Sequence, residues 1–175
     1  MSERQQLLDA IRDAKMGNHS LRLAYADYLE EHGAGDLDAA TVEFIRVSCS
    51  GVKESNVMPL VSYVWLAANW SRLIPSVVAL HLPEPLSQAG FLSIYPGPAF
   101  EARGRDVWMR IRLPNPRPTV KRPSYLCSCT FTFWKGFAIR FHAWSDFTKA
   151  CLKDAIRQDQ PLCSFERVEK PVIVL

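Results

Sequence analysis

The sequence predicts an α+β domain: an N-terminal helical group packed on a small, mainly antiparallel sheet, ending in a strand-helix-strand unit. Three observations carry this expectation. Apolar residues recur at helical spacing through residues 1–82, the period changes to two beyond residue 106, and the C-terminal segment reads strand, helix, strand. With 175 residues, 48% of them hydrophobic and 22% charged, the chain can bury the core of one domain spanning 1–175. Its helical part covers 1–82 and its β-rich part 91–175, with one helix near 145–157.

The first helix, over 4–15, gathers Leu7, Leu8 and Ile11 on one side; the second, over 20–31, gathers Leu21, Tyr25, Tyr28 and Leu29. Between them Gly17-Asn18-His19-Ser20 breaks the pattern, with His19 in the loop and Ser20 as N-cap. His32-Gly33 ends the second helix, a cation in the last turn followed by a glycine able to adopt positive φ. A third helix over 38–49 turns Val42, Ile45 and Cys49 inward, and the short loops force these helices side by side. From Pro59 to Leu82 the chain is almost wholly apolar, which predicts a central core element kinked or split at Pro75.

Prolines 83, 85, 96 and 98 mark an irregular stretch. Then Val107, Met109, Ile111 and Leu113 alternate with Trp108, Arg110 and Arg112, and Tyr125, Cys127, Cys129, Phe131 and Phe133 alternate with Leu126, Ser128, Thr130 and Thr132, as in strands with one face in the core. The connection over 114–123 holds four prolines and predicts an exposed, stiff, extended loop. Lys135-Gly136 turns the chain into a strand over 137–143. Ser145 caps a helix with Phe147, Cys151, Ala155 and Ile156 inward, and short strands over 162–168 and 172–175 follow. The crossover makes neighbouring parallel strands.

No apolar run reaches the ~20 residues a bilayer needs, and the N-terminal Ser2-Glu3-Arg4-Gln5-Gln6 lacks the basic and apolar regions of a secretory signal, so a cytoplasmic protein with no membrane partner is expected. Five cysteines, an odd number, predict reduced thiols rather than a disulfide framework. Cys127 and Cys129 have the spacing of one strand face, not of a zinc knuckle. The histidines lie near no nucleophile motif, and the glycines form no phosphate loop. The expectation is therefore a protein that is not an enzyme, with no metal, no cofactor and no small-molecule substrate.

The segment Arg22-Leu23-Ala24-Tyr25-Ala26-Asp27-Tyr28-Leu29-Glu30-Glu31-His32-Gly33, followed by Val42-Glu43-Phe44-Ile45-Arg46-Val47, resembles the bacterial repeat-companion domain family. Members carry an Arg-Leu-x-Tyr-Ala-Asp-Trp-Leu-Glu-Glu-x-Gly helix and then an Ala-Glu-Phe-Ile-Arg helix, usually ahead of leucine-rich or other repeats. Weaker likeness extends over Ala68-Asn69-Trp70 and Lys135-Gly136-Phe137. This sequence has Tyr28 where the family usually has Trp, and it ends at Leu175, where a repeat array would begin. The resemblance implies no catalytic activity; it implies a domain that accompanies interaction repeats.

Within that motif Arg22, Tyr25, Asp27, Tyr28, Leu29, Glu43, Phe44, Ile45 and Arg46 are expected to be structural. Tyr25, Tyr28, Leu29, Phe44 and Ile45 should be buried together, while Asp27, Glu30, Glu31 and Glu43 form interhelical salt bridges with Arg22 and Arg46 available as partners. The charge is uneven: residues 1–50 hold nine acids against five bases, and residues 101–142 nine bases against two acids. Such a split predicts either internal pairing of the two surfaces or a basic patch for an anionic partner. The function expected is a non-enzymatic protein-protein interaction module, a small adaptor or complex subunit whose contacts run through Arg110, Arg112, Arg117, Lys121 and Arg122. The alternative is a nucleic-acid-binding protein in which the basic segment 103–140, including Lys135 and Arg140, neutralises phosphates while Trp108, Tyr125, Phe131, Phe133 and Trp134 stack bases.

Overall fold

A computed structural model describes residues 1–14, 18–50, 59–81, 99–103, 106–113, 127–143 and 146–165. Its element order is α1 (Glu3–Asp13), α2 (His19–His32), α3 (Asp36–Cys49), α4 (Leu60–Leu73), α5 (Pro75–His81), β1 (Ala99–Arg103), β2 (Asp106–Leu113), β3 (Cys127–Trp134), β4 (Phe137–Ala143), α6 (Asp146–Asp159) and β5 (Ser164–Phe165). The fold is α+β, with helices first, then strands, then a helix. The sheet has the order β1-β2-β3-β4-β5; the first four strands are antiparallel and β5 runs parallel to β4 across α6, as the crossover predicts.

Two hydrophobic cores meet at α3. One joins Leu8 and Ile11 of α1, Tyr25, Ala26 and Leu29 of α2, and Val42, Ile45 and Cys49 of α3 with Phe137 of β4. The other joins Ala40 and Phe44 of α3 to Leu66, Trp70, Leu73 and Val77, to Met109, Phe131, Phe133 and Phe141 of the sheet, and to Leu152 and Ile156 of α6. Phe44 therefore lies apart from Tyr25, with which the sequence grouped it. It stacks on Trp65 at 5.2 Å and meets the edge of Phe133 at 6.0 Å. Tyr28 is only partly buried and stacks on His32 at 4.8 Å, because its position on α2 faces the rim of the first core.

Several local expectations change. Asn18, not Ser20, caps α2, its Oδ1 accepting from the Leu21 N–H at 3.3 Å, so His19 is the first residue of the helix rather than part of a loop. Gly33 ends α2 with φ −72°; what excludes a side chain there is proximity, since a Cβ would stand 2.4 Å from the Leu29 carbonyl oxygen. The positive φ belongs to Gly35, before α3, and to Lys135 and Gly136 in the β3–β4 turn. Pro75 separates α4 from α5 by opening the latter, a position where its missing N–H costs nothing. Strand β1, over Ala99–Arg103, has no alternation that sequence periodicity detects. The proline loop 114–123 and the strand expected over 172–175 lie outside the described residues.

Two buried polar side chains fasten the C-terminal unit. Gln160 donates from Nε2 to the Leu73 carbonyl at 2.7 Å and accepts at Oε1 from the Ala138 N–H at 2.9 Å, tying the end of α4 to the start of β4. Asp159 accepts from the Ser76 N–H at 2.8 Å and the Ser76 hydroxyl at 2.7 Å, which caps α5. Burial holds the Asp159 carboxyl above its ordinary pKa despite these bonds.

Replacing Ile45, which has no exposed surface, by Ala is expected to cost about 2–5 kcal/mol in urea unfolding. Tyr28→Ala, at the rim, should cost about half as much or less, because part of its surface already meets water.

Candidate functional site

Helices α2, α3 and α4 present two charged clamps on their solvent edges. Arg46 of α3 donates through Nη2 to Asp27 at 2.8 Å and to Glu30 Oε2 at 2.6 Å, and through Nε to Glu30 Oε1 at 3.0 Å, so it binds α3 to α2. Arg72 of α4 reaches Asp36 from Nη2 at 2.7 Å and Glu43 from Nη1 at 3.0 Å, which binds α4 to α3. Trp65 Nε1 donates to Glu43 as well, at 3.1 Å. The Arg72 guanidinium holds both Asp36 and Glu43 below the usual carboxylate range. Asp38, at the start of α3, accepts from Arg4 at 2.7 Å and from the Ala34 N–H at 3.0 Å. These carboxylates, held charged by arginines, act as interhelical ties. Burial pushes the Cys163 thiol up to about 12, so it is no nucleophile at neutral pH.

Arg22 departs from expectation. It makes no interhelical salt bridge among the described residues; it is buried, and two of its nitrogens, Nε and Nη1, donate no hydrogen bond. Lys135 departs as well: it has no exposed surface and packs over the Trp134 ring, its ammonium 4.9 Å from the centroid, so it is not part of a solvent-facing basic patch. Phe131, Phe133 and Trp134 are likewise without exposed surface and are closed to base stacking. Backbone register sets Arg110 opposite Thr130 and Arg112 opposite Ser128. Arg117, Lys121 and Arg122 lie outside the described residues.

The sequence does not distinguish the two faces of α4. Between Glu54 and Arg72 there is no charged residue, and an element apolar on every side reads as fully buried. In the structure one face alone is buried: Ser62, Leu66, Trp70 and Leu73. Ser62 is fully enclosed, its hydroxyl donating to the Val47 carbonyl at 3.4 Å, whereas Leu60, Val61 and Val64 are 78%, 51% and 65% exposed. Apart from Met1 these are the exposed large hydrophobic side chains among the described residues, and they share one turn of one helix. Exposed apolar residues in a cluster, unlike scattered ones, mark contact sites. No family model, curated protein or solved structure matches the chain.

The clamp on α4 has a testable pH signature. Carboxylates with depressed folded-state pKa values contribute stability above their unfolded values, near 4, and lose it as pH falls through the folded ones. Arg72→Met should therefore lower stability at pH 7 by up to ~1 kcal/mol, consistent with an exposed network. The difference from the parent protein should shrink below pH ~4 in thermal melts.

Proposed function

We propose that this chain is a non-enzymatic protein-interaction module, an adaptor or subunit whose partner covers the outer face of α4 with an apolar segment of its own. The observation that carries this reading is the cluster of Leu60, Val61 and Val64 in solvent on a helix whose one charged residue, Arg72, lies in its last turn and is tied to α3. Leaving such a cluster bare costs solubility and yields no stability, and covering it removes apolar surface from water at roughly 25 cal/mol per Å². The Arg72 clamp ties α4 to α3, which lowers the ordering cost of docking onto it. The resemblance of 22–33 and 42–47 to a domain that accompanies interaction repeats supports the same class of function.

A second reading, binding of single-stranded nucleic acid, draws on one observation: β2 carries Arg110 and Arg112, and the register sets Trp108, Thr132 and Arg140 in one row across β2, β3 and β4. Three of the five aromatics invoked for stacking are core residues, which leaves phosphate contact as its principal means of binding.

The doubly substituted Leu60→Glu, Val64→Glu protein should melt within about 3 °C of the parent, since both side chains are largely in water already. It should lose a stoichiometric protein partner that copurifies with the parent from native cells. If that partner is retained, the α4 reading fails. Replacing Arg117, Lys121 and Arg122 by Glu tests the second reading: affinity for a single-stranded oligonucleotide should fall and its salt dependence weaken, whereas an oligonucleotide bound equally by both proteins rejects it.

A further inference from the structure

The N-terminal end of α2, the C-terminal end of α3 and the β3–β4 turn enclose an unusual concentration of positive charge. Arg22, in the first turns of α2, is 6% exposed; its Nε and Nη1 donate no hydrogen bond, and its guanidinium carbon stands 5.8 Å from the centroid of the Phe137 ring. Lys135, fully buried, sets its ammonium against Nε2 of His19, the first residue of the same helix. The first turn of α2 contains no acidic residue to offset its positive end. The Cys49 thiol at the end of α3 lies close to this charge, but burial keeps it in its neutral form, so it does not balance it. Buried guanidinium nitrogens are hydrogen-bonded almost without exception, and an arginine stays protonated in such a place, so its donors call for an acceptor that carries negative charge.

We propose that the buried cation cluster at the N-terminal end of α2, formed by Arg22 and Lys135 beside Phe137, binds a phosphate-class oxyanion that accepts hydrogen bonds from the Arg22 guanidinium. A guanidinium, an ammonium and the positive end of a helix together suit a dianionic tetrahedral group better than a carboxylate. The ligand is inorganic phosphate or the phosphate of a monoester. The site lies across α3 from the apolar face of α4, so it stands or falls independently of the interaction reading.

Two measurements test it. Titration of the intact protein with inorganic phosphate, followed by phosphorus NMR and by thermal melting against sodium chloride at matched ionic strength, should give a saturable response with one apparent Kd in both. A wild-type protein indifferent to phosphate beyond the chloride control overturns the proposal whatever the variants do. In Arg22→Met the phosphate response should weaken at least about tenfold, as expected when a charged donor is lost, while the variant melts at or above the parent in chloride because a buried charge has gone. Arg22→Lys, which keeps the charge, should retain part of the response; a response undiminished in Arg22→Met would place the anion elsewhere and overturn the assignment.

Discussion

Helix α3 has to satisfy two cores at once, and the rest of the molecule is arranged around that requirement. Val42, Ile45 and Cys49 close the core shared with α1, α2 and Phe137, while Ala40 and Phe44 close the one shared with α4, α6 and the sheet. A helix buried on two faces keeps only narrow strips for solvent, and here Glu43 and Arg46 occupy them. Both are used as ties, Arg46 to α2 and Glu43 to α4. Gly136 belongs to the same constraint: with φ +99° it brings the β3–β4 turn so close to α3 that a Cβ would stand 2.1 Å from Cγ1 of Ile45. The sheet and the helical group are thereby one packed unit, not two neighbours.

How much of this was legible in the sequence depends on which physical signal each element uses. The helical repeats of α1, α2 and α3, the break at Pro75, the alternation in β2 and β3, and the parallel crossover through α6 all write their periodicity directly into the chain. The hidden parts are tertiary. That Phe44 faces away from Tyr25 follows from α3 having two buried faces, which an apolar stripe one face wide does not reveal. That Ser62 is inside and Leu60 outside cannot be read from a helix with no charged face. Gly33 carries a turn-like signature yet serves a close approach to Leu29, and Lys135 reads as surface charge because lysine is almost never fully buried.

The division of labour that results is asymmetric. On one side of α3 the structure spends its polar groups on interhelical ties and leaves Leu60, Val61 and Val64 of α4 in solvent. On the other it encloses cations at the end of α2 and leaves Nε and Nη1 of Arg22 without a hydrogen-bond acceptor. Both features run against the usual rules for a self-sufficient domain, apolar groups inside and buried charges paired, and departures of that kind gather at places where something else completes the structure.

All of this rests on α3 coupling the two cores, and native-state hydrogen exchange measures that coupling most directly. In the parent protein the amides of α3 and of β3–β4 should share the slowest exchange, and weakening the first core with Ile45→Ala should lower protection in β3 and β4 as much as in α2. Loss of protection confined to α1, α2 and α3, with the sheet unchanged, would show two independently stable units and contradict the account.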